Sequence, residues 1–296
     1  MKKLLLTITC LILVKVAIAQ KMERLDAKPD IICYAGDHST FTKILRRNDA
    51  PYASPSPFGA NMFNSIAQTG ATIEVTYNGF SEEAQAAFQQ AIDIWSELIS
   101  SDVVIRVEAT WQDMDEGVLG GAIWNTAYRN FEGAKELNVW YPVAIAEKMA
   151  GQELNSPDEP DIVATFNKDA PWYLGLDGNP NNGEFDLVTV VLHELGHGLG
   201  FVDSFDVNDE GNGSTNFPQP FIYDLSVENT DGDNLTDLIG NPQELGTELT
   251  SNSLFFNAPT AVTNSGSRPR LYAPTSYNAG SSIAHLNEST YPSGNS

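Results

Sequence analysis

The stretch Asp186-Leu187-Val188-Thr189-Val190-Val191-Leu192-His193-Glu194-Leu195-Gly196-His197-Gly198-Leu199-Gly200 decides how this chain reads. Asp186 can accept the first free backbone N–H groups of a helix, and Gly200 can end it. Between them the pattern predicts an apolar helix over 187–199. On it His193 and His197, at i and i+4, stand one above the other, about 6 Å apart at Cβ. Both rings can then reach one ion at the roughly 2.0–2.1 Å of a zinc–nitrogen bond. Glu194 lies beside the pair, where a carboxylate can take a proton from metal-bound water. Zinc lowers the pKa of that water to about 7 and polarises a carbonyl, and amide hydrolysis needs both. The competing reading is two surface histidines on an ordinary helix. Val190-Val191-Leu192 argues for burial instead, and two of the chain's four histidines fall in this one motif.

A catalytic zinc usually has three protein ligands and an open position. Two candidates can complete the set. Asp203 follows closely, and Gly200 can turn the chain so that it swings back. His285, in Gly280-Ser281-Ser282-Ile283-Ala284-His285-Leu286, is the only histidine after the helix. Imidazole suits zinc better than a lone carboxylate, which favours His285 and leaves Asp203 as the alternative or as a group that orients a ligand. A different class of zinc hydrolase would use a downstream glutamate such as Glu228. His38 lies far upstream and reads as a bystander.

The motif His193-Glu194-x-x-His197-x-x-Gly200 resembles the zinc-binding motif of the metzincin metalloproteases. In most of that clan the third ligand stands where Asp203 stands here. In the leishmanolysin-like branch a long insertion follows the glycine, and the third histidine comes much later. Gly200-Phe201, the long gap and the Gly-Ser-Ser-Ile-Ala-His segment are similar to that arrangement. Asp177-Gly178-Asn179-Pro180 and Leu271-Tyr272-Ala273-Pro274 also resemble secreted bacterial metalloproteases of this kind. The resemblance spans about 70–296 and is sharp at 186–201 and 280–288.

What the resemblance implies is an α+β fold, a metzincin-like zincin. It would have a twisted mixed sheet, two long helices with the active-site helix at 187–199, and a loop-rich C-terminal part. It implies zinc on His193, His197 and His285, Glu194 as general base and acid, and a polypeptide substrate. Such enzymes usually hold substrate as an added strand at a sheet edge, which 161–167 would supply. The family's methionine turn is missing: the methionines are Met1, Met22, Met62, Met114 and Met149, and none follows the motif. The expectation is a chain that continues beyond Ser296.

Outward from the motif, Ile73, Val75 and Tyr77 alternate with polar residues as in a half-buried strand. Ser81 can cap a helix whose apolar face is Ala84, Ala87, Phe88, Ala91, Ile92, Trp95, Leu98 and Ile99. Val103, Ile105, Val107 and Ala109 alternate again. A strand–helix–strand unit implies parallel strands. Further strands are expected at 137–143 and 161–167, and 175–183 reads as a loop. After 201 the chain is rich in Asn, Asp, Gly, Ser and Pro, so strands there should be short.

At the other end, Lys2 and Lys3 precede the apolar run Leu4–Val14, and Ala17-Ile18-Ala19 offers a signal-peptidase site. Residues 1–19 therefore read as a secretory signal, too short for a membrane span of about 20 residues. The segment 20–60 reads as a leader or extended arm, 61–200 as an N-terminal zincin subdomain, and 201–296 as a loop-rich insertion with an incomplete C-terminal subdomain.

The 296 residues carry 16 basic and 39 acidic side chains, a net charge of −23. Such a chain repels phosphate, so nucleic acid is excluded as a partner. Cleavage after Ala19 removes Lys2, Lys3, Lys15 and Cys10 and leaves Cys33 alone, so no intrachain disulfide can form. The loops 177–186, 203–213 and 231–237 offer oxygen ligands for calcium without the spacing of a helix–loop–helix site. Cys33 can serve as a thiolate latch on zinc or as a small buried side chain. Two functions compete: a secreted zinc endopeptidase, and an exported binding or adhesion module that keeps a metal for structure.

Overall fold

In the computed structural model, which describes residues 21–27, 33–34, 70–287 and 289–291, the first alternating segment is the strand Ile73–Asn78. Helix α1 (Glu82–Leu98) follows. Its first turn is closed by Ser81, whose hydroxyl accepts the N–H of Ala84 at 3.2 Å. Ala84, Ala87, Phe88, Ala91 and Ile92 are its buried face. Phe88 alone stabilises the fold by about 1.5–3 kcal/mol through burial. The strand Ile105–Gln112 then pairs parallel with the first, Ile73 facing Ile105.

Ile162–Asn167 pairs parallel with Ile105–Gln112 on one side and antiparallel with Val118–Trp124 on the other. It is therefore internal, which corrects the expectation that 161–167 is the edge. A strand apolar on both faces belongs in the middle of a covered sheet, where Ile162, Ala164 and Phe166 are buried. The outer position falls to Val118–Trp124, and Cys33–Tyr34 pairs antiparallel along its far side. The result is a mixed five-stranded sheet in an α+β chain.

The expected strand 137–143 is also corrected. Only Tyr141–Pro142 forms a strand, with Trp140 before it in a single parallel bridge to Phe221. Proline ends the strand and stands just ahead of helix α2 (Val143–Ala150), where its fixed φ and missing N–H cost nothing.

Helix α3 (Leu187–Gly198) carries the motif. Asp186 accepts the N–H of Thr189 at 2.9 Å and also its hydroxyl. The Trp95 indole N–H donates to the Leu192 carbonyl at 3.0 Å and locks α1 to α3. A Cβ on Gly198 would lie 2.4 Å from Ile162 Cγ2, so only glycine lets the end of α3 rest on the sheet. Gly200, at φ +120°, turns the chain away, and its own Cβ would strike Ile145.

Beyond the turn, the pairs Phe205–Val207 with Gly213–Thr215 and Val227–Glu228 with Phe255–Phe256 are short, as expected. Helices α4 (Pro242–Leu249) and α5 (Pro259–Ser265) accompany them. Phe205, Tyr223, Val227, Leu235, Leu245, Leu249, Leu254, Leu271 and Ile283 form their own apolar cluster. It is separate from the one between the sheet, α1 and α3.

Near the amino end, Glu23–Asp26 pairs antiparallel with Thr126–Arg129, and Arg24 reaches Glu159 at 2.9 Å. The expected signal 1–19, His38 and most of the segment 20–60 lie outside the described residues. Among those described, no helix is long and apolar enough to cross a membrane.

Glu147 of α2 is almost wholly buried, with Oε1 accepting the N–H groups of Leu154 (2.8 Å) and Asn155 (3.2 Å). Burial pushes its pKa from 4.5 to about 7, and the charges of Asp161 and Glu153 add to the rise. The folded state thus holds this proton more tightly than the unfolded state. Stability from this group is full below about pH 4.5 and is lost as pH rises through about 7. We expect that loss to be on the order of 3 kcal/mol. Glu147→Gln should flatten this part of the profile, read from urea midpoints at pH 5 and pH 8.

Candidate metal centre

Three imidazoles converge. His193 and His197 project from one face of α3, and His285 arrives from a segment 92 residues after His193. His193 Nε2 lies 3.0 Å from His285 Nε2 and 3.1 Å from His197 Nε2. Ring centroids are 4.8–4.9 Å apart in all three pairs. Two ligands at 2.0–2.1 Å from a tetrahedral ion are separated by about 3.3 Å, close to what is seen.

The second nitrogens decide the protonation. His197 Nδ1 lies 2.8 Å from the Phe201 carbonyl, and His285 Nδ1 lies 2.8 Å from the Ser281 carbonyl. A carbonyl oxygen only accepts, so each Nδ1 carries the proton and donates. Each Nε2 then presents its lone pair toward the other rings. Converging lone pairs repel one another and suit a cation, and imidazoles oriented by carbonyls are the usual form of such a donor set. The three histidines fit a zinc ion.

The geometry places the other candidates elsewhere. Among the described residues, the His193–His197–His285 group is where metal-ligating side chains meet, and Asp203 is outside it. Asp203 accepts the N–H of Phe205 at 2.8 Å instead. Burial, with the neighbouring Asp224 charge, holds its pKa well above the usual carboxylate range. Glu228 is also outside, bound to Arg268 at 2.9 Å and Asn257 at 2.7 Å. Glu194, wholly buried, follows His193 on α3.

The three loops considered for calcium take their own partners. Asp177 accepts from Tyr173 and from the N–H of Asn179. Asn208 accepts the N–H groups of Glu210 and Asn212. In the third, Asn234 accepts the N–H of Thr236 at 2.9 Å and its hydroxyl as well.

The segment bearing His285 is held against the chain before it. Tyr272 N–H donates to the His285 carbonyl at 2.8 Å, and Ile283 N–H donates to the Tyr272 carbonyl at 2.7 Å. Ile283 is wholly buried at φ +71°, a left-handed conformation rare for a β-branched residue. Tyr223 donates its hydroxyl to the Ile283 carbonyl at 2.8 Å. Asp224 accepts the N–H of Phe221 (2.7 Å) and both the N–H and the hydroxyl of Ser204. Burial raises its pKa to about 7 against these bonds. Sequence reasoning missed the Phe201 and Ser281 carbonyls and Tyr223. The carbonyls belong to the backbone and carry no residue signature. Each does stand four positions from its histidine, a spacing that could have suggested them.

A family model described as SPBPB7E8-like matches residues 71–257, which include His193, Glu194 and His197 and end before His285. A protein of Schizosaccharomyces pombe (strain 972 / ATCC 24843), described as "Uncharacterized protein PB7E8.01", is 24% identical over 169 residues. The match covers 55% of this chain and 29% of that protein, so the chain spans under a third of its relative's length. No solved structure matches the chain significantly. With more than half of its length inside the matched span, the chain belongs to the SPBPB7E8-like family.

Proposed function

We propose that this protein is a secreted zinc-dependent endopeptidase of metzincin-like design. The observation that carries the reading is the meeting of His285 with the histidine pair of α3. His193, His197 and His285 would hold the ion. Bound there, zinc supplies a Lewis acid and brings water's pKa to about 7. The chain's own part falls to Glu194. Its carboxylate takes a proton from the attacking water and delivers it to the departing amine nitrogen. The carbonyls of Phe201 and Ser281 hold two of the imidazoles in the tautomer whose Nε2 lone pair can ligate.

The fold reading draws support from the mixed sheet, from the helix capped by Asp186, and from the turn at Gly200. Export rests on the signal-like residues 1–19. The substrate class is polypeptide.

The test is metal content and cleavage together. The purified full chain is expected to carry one zinc ion per chain and to cut unfolded casein. A phenanthroline chelator should stop cleavage, and added zinc should restore it. A chain that retains no zinc would sink the reading. So would cleavage that the chelator leaves untouched. Stoichiometric zinc with no cleavage of any peptide mixture would favour the exported binding module.

A further inference from the structure

Two ligand-bearing segments that are far apart in sequence meet at one side chain. The first segment is the turn after α3. There Phe201 accepts the His197 Nδ1 proton through its carbonyl and packs its ring on Tyr223, centroids 4.8 Å apart at 70°. The second is the segment of His285, where the Tyr223 hydroxyl donates to the Ile283 carbonyl at 2.8 Å. Tyr223 is itself fixed. Its ring stacks on Phe256 at 4.8 Å and 23°, and Asp224 ties the same turn to Ser204.

Ile283 explains why such a clamp is needed. It lies two residues before His285 in a left-handed conformation, which strains a β-branched residue. Such strain persists only where the surroundings hold the backbone. The hydrogen bonds that do so are Ile283 N–H to Tyr272 and Tyr223 Oη–H to the Ile283 carbonyl. If the second is lost, the backbone is free to relax to negative φ, and the direction in which His285 leaves the chain changes with it.

We propose that Tyr223 is a positioning residue for the metal centre. Its hydroxyl fixes the approach of His285, and its ring fixes the Phe201 carbonyl that orients His197. The inference rests on the zinc reading above. It assigns Tyr223 no contact with substrate or metal.

The experiment compares the full chain with Tyr223→Phe and with a control, Tyr128→Phe. Tyr128 is also buried and donates to a single carbonyl, that of Leu154 at 3.0 Å. Zinc affinity is measured by competition with a chromophoric chelator, and the absorption bands of the cobalt-substituted proteins are recorded. Tyr223→Phe is expected to weaken zinc by about tenfold and to shift the cobalt bands. Tyr128→Phe should lower the melting temperature comparably and change neither. Unchanged affinity and spectrum in Tyr223→Phe would overturn the proposal, as would equal weakening in Tyr128→Phe. In both cases the zinc reading survives. A wild-type chain that binds no zinc overturns both.

Discussion

Glu194→Gln is expected to lower peptide-bond hydrolysis by about 10²–10⁴-fold while zinc stays bound. Glutamine keeps the shape of the side chain and cannot take a proton from water. Glu194 is wholly buried, and burial penalises charge, so the neutral amide should fold at least as well. His193 and His197 keep their places on α3, because the substitution leaves the helix caps and its apolar face unchanged. The loss should therefore fall on kcat, with KM little altered. Steady-state cleavage of a fluorogenic peptide, with zinc content measured on the same sample, decides it. A zinc-loaded variant as active as wild type would remove Glu194 from the chemistry. An exported binding module would keep its function through the substitution.

His285→Ala should weaken zinc by more than the roughly 10–100-fold typical of residues that merely support a ligand. It removes one of three nitrogens and leaves a pair from a single helix, too few for a catalytic site. Asp203→Ala is the discriminating partner. Asp203 holds the Phe205 N–H, so its loss should cost about 1 kcal/mol of stability and no zinc. Competition titrations on both variants read the difference. Wild-type affinity in His285→Ala, with release in Asp203→Ala, would transfer the third place to the carboxylate.

The parts legible in the sequence are those governed by local chemistry. Ser81 and Asp186 cap the two long helices because short oxygen side chains satisfy free N–H groups, and the apolar spacing between the caps is unmistakable. The histidine pair is legible for the same reason, since four residues make one helical turn.

Val118–Trp124 shows no alternating strand pattern, because Gly120-Gly121 interrupts its apolar residues. In the sheet, a Cβ on Gly120 would lie 2.7 Å from the Thr165 carbonyl oxygen and 2.8 Å from the Phe166 ring, so close packing demands the glycine. The stretch 137–143 misled because its apolar run crosses Pro142, where strand gives way to helix. Tyr223 was invisible, because its importance comes from a backbone conformation at Ile283 that no pattern of residues announces. His285 was legible as a candidate ligand by type, while its route to the other two histidines depends on the folding of the C-terminal cluster.

The two-residue ribbon Cys33–Tyr34 has a consequence of its own. It lies along the rim of the sheet, facing Gly120 and Val118 of the outer strand. Among the described residues the pairing is Cys33 with Gly120 and Tyr34 with Val118. Covering an outer strand in this way is one of the devices by which folded chains keep their sheets from growing onto neighbours.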